Sequence, residues 1–453
     1  MVFELAQYYD RPLPRYTSYP TAPQFTADIG EMCYRRWLGR IAPPASISLY
    51  LHIPFCQELC WFCGCNTRVI RDATIIAQYC DRLIREIDLV ADAVPGRLAV
   101  KQIHFGGGSP NTLGGPSFAG LLDHIRRRFE VSSNAEIAVE IDPRSVTHDF
   151  IMACAEAGVS RASLGVQDLN PVVQQAINRI QPYNIVARVA DDLRTAGIVD
   201  VNIDLMYGLP HQTVAVLLAT VEKIIRLAPS RLALFGYAHV PWMKSHQKLI
   251  NESVLPDSAE RWRQFEAAAT LLAAAGYVPV GMDHFAGPET SLAEANADGA
   301  LHRNFQGYTT DKAPTLLGLG ASSIGMLPEG YVQNIHDVRQ WGAAIDAGAL
   351  PTVKGIALDD DDRLRRAVIE RLMCDLTVDL DETARRFGCD AGYFADDVAA
   401  LAPLRDDGLV EVTGSIIRVA PRNRLLIRTV AAAFDRYLKK HATASAPRHS
   451  TAV

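Results

Sequence analysis

Residues 50–66 read YLHIPFCQELCWFCGCN and pack four of the chain's nine cysteines between positions 56 and 65. Cys56, Cys60 and Cys63 follow C-x₃-C-x₂-C spacing, which lets one turn-like loop aim three soft thiolates at one spot, a metal-ligand pattern. Structural zinc wants four closed ligands, usually two pairs held apart by a finger. Here Cys65 lies only two residues past Cys63, and no second Cys or His pair follows. Three thiolates suit a [4Fe–4S] cluster with one iron left open, because full ligation takes four cysteines. The flanking Phe55, Trp61 and Phe62 would bury such a group and exclude water, which sets its potential. On these residues alone, zinc remains the alternative.

With 453 residues the chain exceeds one average domain and can bury a sizeable core, so one large domain plus a smaller one is the natural expectation. A net charge of −6 argues against general nucleic-acid binding, which needs a basic footprint. The N-terminus lacks a basic region followed by an apolar core, and no apolar run reaches the roughly 18 residues of a spanning helix, so a cytoplasmic protein is expected. In a reducing compartment the clustered cysteines read as ligands, not disulfides. Cys33, Cys80, Cys154, Cys374 and Cys389 are scattered singly and read as core or incidental residues.

From Ile47 onward short apolar strands alternate with long helical stretches. Strands are expected at 48–53, 100–105, 137–140, 161–165, 201–206 and 231–237, and helices at 74–91, 117–129, 148–157, 184–196 and 214–227. Such β-then-α units imply an α/β fold with parallel strands and right-handed crossovers, and functional residues at the strands' C-terminal ends. Periodicity alone would suggest a closed eight-unit barrel. Residues 1–45 form an N-terminal arm with little periodicity, stiffened by prolines and carrying aromatic residues and arginines. A helix should run from Ser258 to about Ala275 and end at Gly276. Residues 281–325 are Gly-rich and polar and read as loops that approach a ligand. The catalytic domain would then span 46–355. Residues 356–440 read as a mostly helical, winged-helix-like domain: an acid-led helix from Asp359, short helices at 380–387 and 393–401, a hairpin in LVEVTGSIIRVA, and a last helix at 422–438. Its wing carries one arginine, so a lid or packing role is expected over DNA binding. The tail, 441–453, has a disordered composition.

Several strand ends carry polar groups suited to a ligand. Gly106-Gly107-Gly108-Ser109-Pro110 follows the second strand, where glycines let a backbone edge approach an amino-acid-like group. Glu140 in VEIDP would want a cationic partner such as an α-ammonium, and Asp204 in NIDLMYGLP obeys the same logic. Either acid could equally be a structural cap. Gln167 and Arg179, after the fourth strand, offer donors to carboxylate and ribose oxygens. His52 and His284 read as groups that hold backbone or neighbouring side chains.

The C-x₃-C-x₂-C spacing resembles the radical S-adenosylmethionine (SAM) signature. The extended strings HIPFC and CWFCGCN, with PRYTSYPTA, HRNFQGYTT, LAPLRDDGLV and NRLLIR, resemble the oxygen-independent coproporphyrinogen III oxidases along almost the whole chain. That resemblance implies an open partial (β/α)₆ barrel, with Cys56, Cys60 and Cys63 holding a [4Fe–4S] cluster. It places SAM against Tyr50, Gly107, Gly108, Ser109, Glu140, Gln167, Arg179 and Asp204, and against the backbone of Ala238 and Ile324. Ser109 stands where the family usually has Thr, keeping the hydroxyl. The resemblance implies two molecules of SAM and links Cys65 to the second, with a catalytic part separate from cluster binding.

Its implied substrate is coproporphyrinogen III, a tetrapyrrole with four propionates, and the candidate donors to it are Arg11, Arg15, Tyr16, Tyr19, His302, Arg303 and Tyr308. Two propionates would become vinyl groups, giving protoporphyrinogen IX in haem biosynthesis, through a SAM-derived 5′-deoxyadenosyl radical. A flavodoxin or ferredoxin would be the reductant and the chain a monomer. The alternatives are a haem chaperone or haem-modifying relative, against which Cys65 and the PRYTSYP arm weigh, and a zinc-stabilised winged-helix regulator.

Overall fold

A computed structural model describes residues 8–440; the tail expected to be disordered lies outside the described residues. A twelve-stranded sheet forms the frame. Its strands are β1 (Ser46–Ile53), β2 (Ala99–Gly107), β3 (Glu130–Ile141), β4 (Arg161–Gln167), β5 (Asp200–Tyr207), β6 (Arg231–Gly236), β7 (Val278–Val280), β8 (His284–Ala286), β9 (Thr315–Leu319), β10 (Ile324–Leu327), β11 (Gly330–Asn334) and β12 (Thr352–Ala357). They lie in the order β12-β11-β10-β9-β1-β2-β3-β4-β5-β6-β8-β7. The run from β9 to β6 is parallel, and both flanks are antiparallel. The two ends of this order do not pair, so the barrel is open, as the resemblance implies and not as periodicity alone would have it.

The first six strands fall where apolar alternation puts them, because each buries both faces: Leu49, Leu51, Ile103, Phe105, Val139, Leu164, Ile203 and Leu234 are fully buried. The helices between them follow the 3.6 period. The helix α1 (Glu31–Leu38) precedes β1, and α2 (Ala73–Ala93) buries Ile76, Tyr79, Leu83, Ile87 and Val90 along one stripe. Then come α3 (Gly115–Arg128), α4 (His148–Glu156), α5 (Tyr183–Thr195), α6 (Val214–Arg226) and α7 (Ser258–Ala274). Asp72, Thr147, Thr213 and Asp257 cap α2, α4, α6 and α7 by accepting from backbone N–H groups of the first turn.

Three expectations need correction. The segment 281–325 is not a set of loops: it contributes β8, β9 and the start of β10, with a small hairpin of His302–Asn304 and Gly307–Thr309 between. Its glycines serve close packing of chain on chain. A Cβ on Gly318 would stand 2.7 Å from the Ile324 backbone, and one on Gly320 would stand 2.5 Å from the His52 carbonyl oxygen. The arm is not without regular structure, since it holds α1, whose Tyr34, Trp37 and Leu38 are buried. The last helix is not continuous: Asp435, extended at φ −86° and ψ 100°, interrupts it and caps a new turn, its Oδ1 accepting from the Tyr437 and Leu438 N–H groups while Oδ2 accepts from Tyr16.

After β12, helix α8 (Asp360–Asp375) opens with an Asp359/Asp362 capping box. Short helices and a three-stranded sheet, Thr377–Asp379, Val410–Thr413 and Ile416–Val419, complete the winged-helix-like unit. The arm threads between this unit and the main sheet. Tyr16 Oη donates to Asp435 at 3.1 Å, Tyr19 Oη accepts from the Arg436 N–H at 3.2 Å, and Arg428 donates to the Leu13 carbonyl at 3.2 Å.

Candidate functional site

The C-terminal ends of β1 to β5 surround a cavity of about 190 Å³. Cys56, Cys60, Cys63 and Cys65 line one side; Gly107, Gly108, Ser109, Glu140, Gln167, Arg179 and Asp204 line the other. A loop, three strand ends and the turn after β4 thus meet in one place, as expected of parallel strands whose C-terminal ends face the same way.

Each cysteine has its own surroundings. Arg144 Nη2 and Arg179 Nη1 each lie 3.3 Å from the Cys60 sulfur, and Ser109 Oγ lies 3.7 Å from the Cys56 sulfur. Burial pushes the Cys56 thiol up to about 11, with the Ser109 hydroxyl pulling the other way. A hydrogen bond from Cys65 outweighs burial at Cys63 and brings it down to about 6, while Cys65, facing Cys63, is pushed up. The donor set fits a [4Fe–4S] cluster: three sulfurs on one wall, with cationic and hydroxyl donors turned toward two of them.

The loop is clamped from behind. Lys244 Nζ lies 3.0 Å from the Cys65 carbonyl oxygen, His246 Nε2 2.7 Å from that of Cys63, and Gln247 Nε2 2.9 Å from that of Phe62. Sequence reading missed these three; their signal was the polar run KSHQK following β6. It also missed Asp142 and Arg144, which follow Glu140 in EIDPR. Asp142 accepts from Arg144 at 2.7 Å and from Arg179 at 3.3 Å, so one buried carboxylate aims both guanidiniums at Cys60.

Glu140 is held by two donors, His104 Nε2 at 3.0 Å and the Gly107 N–H at 3.1 Å. Burial pushes its carboxyl up, but those two bonds and the neighbouring His52 outweigh it, so the group sits below its ordinary range and is ionised near neutrality. Its side chain remains 37% exposed toward the cavity. The glycine run packs tightly around it. A Cβ on Gly106 would lie 2.6 Å from Glu140 Oε1, and one on Gly107, at φ +111°, would lie 2.5 Å from the His52 ring. The N–H groups of Gly107, Gly108 and Ser109 are donated to Glu140, Ile53 and Phe55, so this edge offers a ligand acceptors, not the mixed edge expected.

Asp204 accepts from Asn202 Nδ2 at 2.8 Å and Ser163 Oγ at 3.2 Å, and burial raises its pKa. Gln167 adopts φ +71°, a left-handed conformation that costs a non-glycine residue about 1–3 kcal/mol and is met at functional sites. Arg179 spends its Nη atoms on Cys60, Asp142 and Gly165, leaving only Nε without a partner, so it is less available to a ligand than expected. Tyr50 stands behind the wall, its hydroxyl 3.0 Å from His52 Nδ1. Ala238 and Ile324 fall outside the lining; the Ala238 carbonyl accepts from Gln247, and Ile324 pairs with Gln333. His52 bridges Tyr50 and the Asn66 carbonyl, the holding role expected of it.

The seven expected substrate donors separate. Tyr16, Tyr19, His302 and Arg303 line a second cavity of about 320 Å³ with Lys312, Arg363 and Arg366. Arg15 donates to the Gly236 carbonyl at 2.9 Å, whereas Arg11 stays with the arm, 5.9 Å from the Tyr9 ring centroid. Tyr308 must be withdrawn as a donor to propionates. It is buried, its hydroxyl donates to the Met373 carbonyl and accepts from the Met282 N–H, both at 2.8 Å, and its ring lies against Gly281. The Tyr16 hydroxyl is likewise spent, donating to Asp435, whereas that of Tyr19 accepts from the Arg436 N–H and keeps its proton to donate.

Residues 50–224 match the radical SAM superfamily, and residues 358–426 match the HemN C-terminal domain. A Bradyrhizobium diazoefficiens protein named oxygen-independent coproporphyrinogen III oxidase is 50% identical over 431 residues, 95% of this chain and 96% of the relative. One of the same name from Escherichia coli is 40% identical, over 97% of this chain and 96% of that one. The solved structure described as coproporphyrinogen III oxidase (HemN) from Escherichia coli, a radical SAM enzyme, superposes with a TM-score of 0.89 at 39% identity. It covers 94% of this chain and 100% of that chain.

Proposed function

The chain belongs to the oxygen-independent coproporphyrinogen III oxidases, and from that premise we propose how its own residues share the work. It is a radical SAM oxidoreductase that oxidatively decarboxylates two propionates of coproporphyrinogen III to vinyl groups in haem biosynthesis. Its cofactors are a [4Fe–4S] cluster and SAM.

Cys56, Cys60 and Cys63 hold the cluster, and the bound pair supplies one-electron cleavage of SAM and, through it, abstraction of a propionate hydrogen. Arg144 and Arg179 donate to the Cys60 sulfur, and such bonds raise the potential of whatever that sulfur ligates. Glu140, ionised and open to the cavity, takes the α-ammonium of SAM. Asp204 and Gln167 face the adenosine end. The partly buried Trp61 and Phe62 pack against the apolar cluster of Leu209 and Tyr237 and keep water from the reacting groups. Cys65 lines the same cavity but keeps a separate catalytic part, beside a second SAM.

The arm (1–45), catalytic domain (46–355) and C-terminal domain (356–440) are taken as units of one monomer, with a flavodoxin- or ferredoxin-type protein as reductant. No helix among the described residues is long and apolar enough to cross a membrane. All nine cysteines are free, which supports a cytoplasmic setting.

The observation that carries this reading is one cavity holding the three spaced cysteines together with an ionised Glu140. Its test is anaerobic incubation of the reconstituted protein with SAM, reductant and coproporphyrinogen III. Release of CO₂ with 5′-deoxyadenosine is expected. Haem binding without decarboxylation would overturn it in favour of a chaperone.

A further inference from the structure

Beyond the C-terminal ends of β5 and β6 lies a concentration of guanidiniums that the reading above does not use. Arg261, on α7, lies against the backbone of two strand-end glycines. A Cβ on Gly208 would stand 2.5 Å from its Nη1, and one on Gly236 would stand 3.2 Å from its Nη2. Its charge rests 5.5 Å from the Tyr207 ring centroid. Its buried Nε has no hydrogen-bond partner among the described residues.

The C-terminal domain contributes Arg424 and Arg428, four residues apart and 9% and 5% exposed. The buried Nε of Arg424 also has no partner among the described residues. Arg15 reaches the Gly236 carbonyl from the arm, and Arg303 donates to the Arg15 carbonyl at 3.3 Å. These groups feel one another. Burial and the neighbouring Arg15 pull Arg428 down to about 10, and burial likewise lowers Arg261 and Arg424. Of the carboxylates, Asp283, itself held 2.7 Å from His284 Nδ1, acts on Arg303, Arg424 and Arg428, and Asp10 acts on Arg261. Among the described residues, no carboxylate is hydrogen-bonded to the Arg261 or Arg424 guanidinium. A buried cation without its counter-charge is costly, and an incoming anion removes that cost.

We infer that Arg261 and Arg424, backed by Arg15, Arg303 and Arg428, form a subsite for propionate carboxylates of the tetrapyrrole, built jointly by the barrel, the arm and the C-terminal domain. This rests on the tetrapyrrole reading above and deepens it. It gives the C-terminal domain a part in substrate binding beyond packing. It also explains why a planar guanidinium stands over glycines: the bare backbone at Gly208 and Gly236 leaves room for a fork-shaped donor beside the strand ends.

The test uses the full-length, cluster-loaded protein under anaerobic conditions and two probes, coproporphyrin III and its tetramethyl ester, in which all four carboxylates are masked. Arg261→Gln and Arg424→Gln, from two separate parts of the fold, should each weaken coproporphyrin III binding about 10-fold or more, from the loss of one charge-assisted bond. Ester binding, SAM binding and cluster absorbance should not change. Melting temperatures should stay level or rise, because an uncompensated buried charge has been removed. Tetra-acid binding within twofold of wild type in both variants would overturn the subsite. So would an equal loss for acid and ester, which would mean a packing role. A wild-type protein that binds the tetra-acid through these arginines but forms no vinyl product would sink the assigned reaction and leave the subsite standing.

Discussion

Glu140→Gln separates the charge of this side chain from its shape. In the protein Oε1 accepts from His104 Nε2 at 3.0 Å and Oε2 from the Gly107 N–H at 3.1 Å. Both bonds are internal, and the exposed 37% of the side chain leaves lone pairs directed into the cavity. The amide is isosteric, so it meets the glycine run as the carboxylate does. Its NH₂ can face His104, whose ring can switch tautomer and accept, while its oxygen keeps the Gly107 N–H. The loop and cluster site should therefore persist, and the loss falls on the bond to the ligand's ammonium. A hydrogen bond to a charged partner contributes about 1.5–3 kcal/mol, which corresponds to about a 10–100-fold rise in Kd for SAM. Equilibrium dialysis of SAM against the anaerobic cluster-loaded protein measures this, with cluster absorbance as the control and the yield of 5′-deoxyadenosine as a second readout. A SAM Kd within twofold of wild type, with the cluster intact, would refute the assignment of Glu140 to the ammonium.

Cys56→Ser should abolish cluster loading and SAM cleavage; a normal iron content with normal turnover would remove Cys56 from the ligand set. Cys65→Ser should retain iron and the cluster spectrum but lose product formation, so loss of iron would make Cys65 a ligand. Glu136 is partly buried on β3, where burial pushes its carboxyl up but Arg161 and Arg231 outweigh it and hold it at about 2. Its folded pKa is below the unfolded value, so its contribution is complete above about pH 4.5 and is lost as pH falls toward 2, about 3 kcal/mol in all. Denaturant melts of wild type and Glu136→Gln across pH 2.5–6 should converge toward the acid end, and parallel curves would contradict this. Gly281→Ala would place a Cβ 2.0 Å from the Tyr308 ring at φ +52° and should destabilise the protein by about 2–4 kcal/mol, read by urea unfolding.

The parallel strands were legible because each is a short apolar run bounded by turn residues and followed by a 3.6-period helix. Strand β9 was not legible. TLLGLG reads as a glycine-rich loop, and only pairing with β1, which buries all five of its residues, makes it a strand. The interrupted last helix was hidden for a related reason. Nothing local in AAAFDRYL forbids a continuous helix, but Asp435 caps a new turn through the Tyr437 and Leu438 N–H groups while its other oxygen accepts from Tyr16, more than four hundred residues away in sequence. The cysteine triad and Glu140 were legible because a three-thiolate spacing and an acid in an apolar strand are each costly without a purpose. The clamp of Lys244, His246 and Gln247 was not, since the polar run KSHQK marks the donors but backbone carbonyls as targets do not say which loop they hold.

Sequence by itself determined what YLHIPFCQELCWFCGCN offers: three soft thiolates at C-x₃-C-x₂-C spacing, with a fourth cysteine two residues past Cys63. Ligand identity is a property of residue type and short-range spacing, which the chain carries locally. Tertiary structure decided which groups face those thiolates, and it withdrew the Tyr308 and Tyr16 hydroxyls from the substrate's donors. It brought forward arginines from α7 and the C-terminal domain. Electrostatic surroundings depend on distances between chain segments far apart in sequence, and only packing sets those distances.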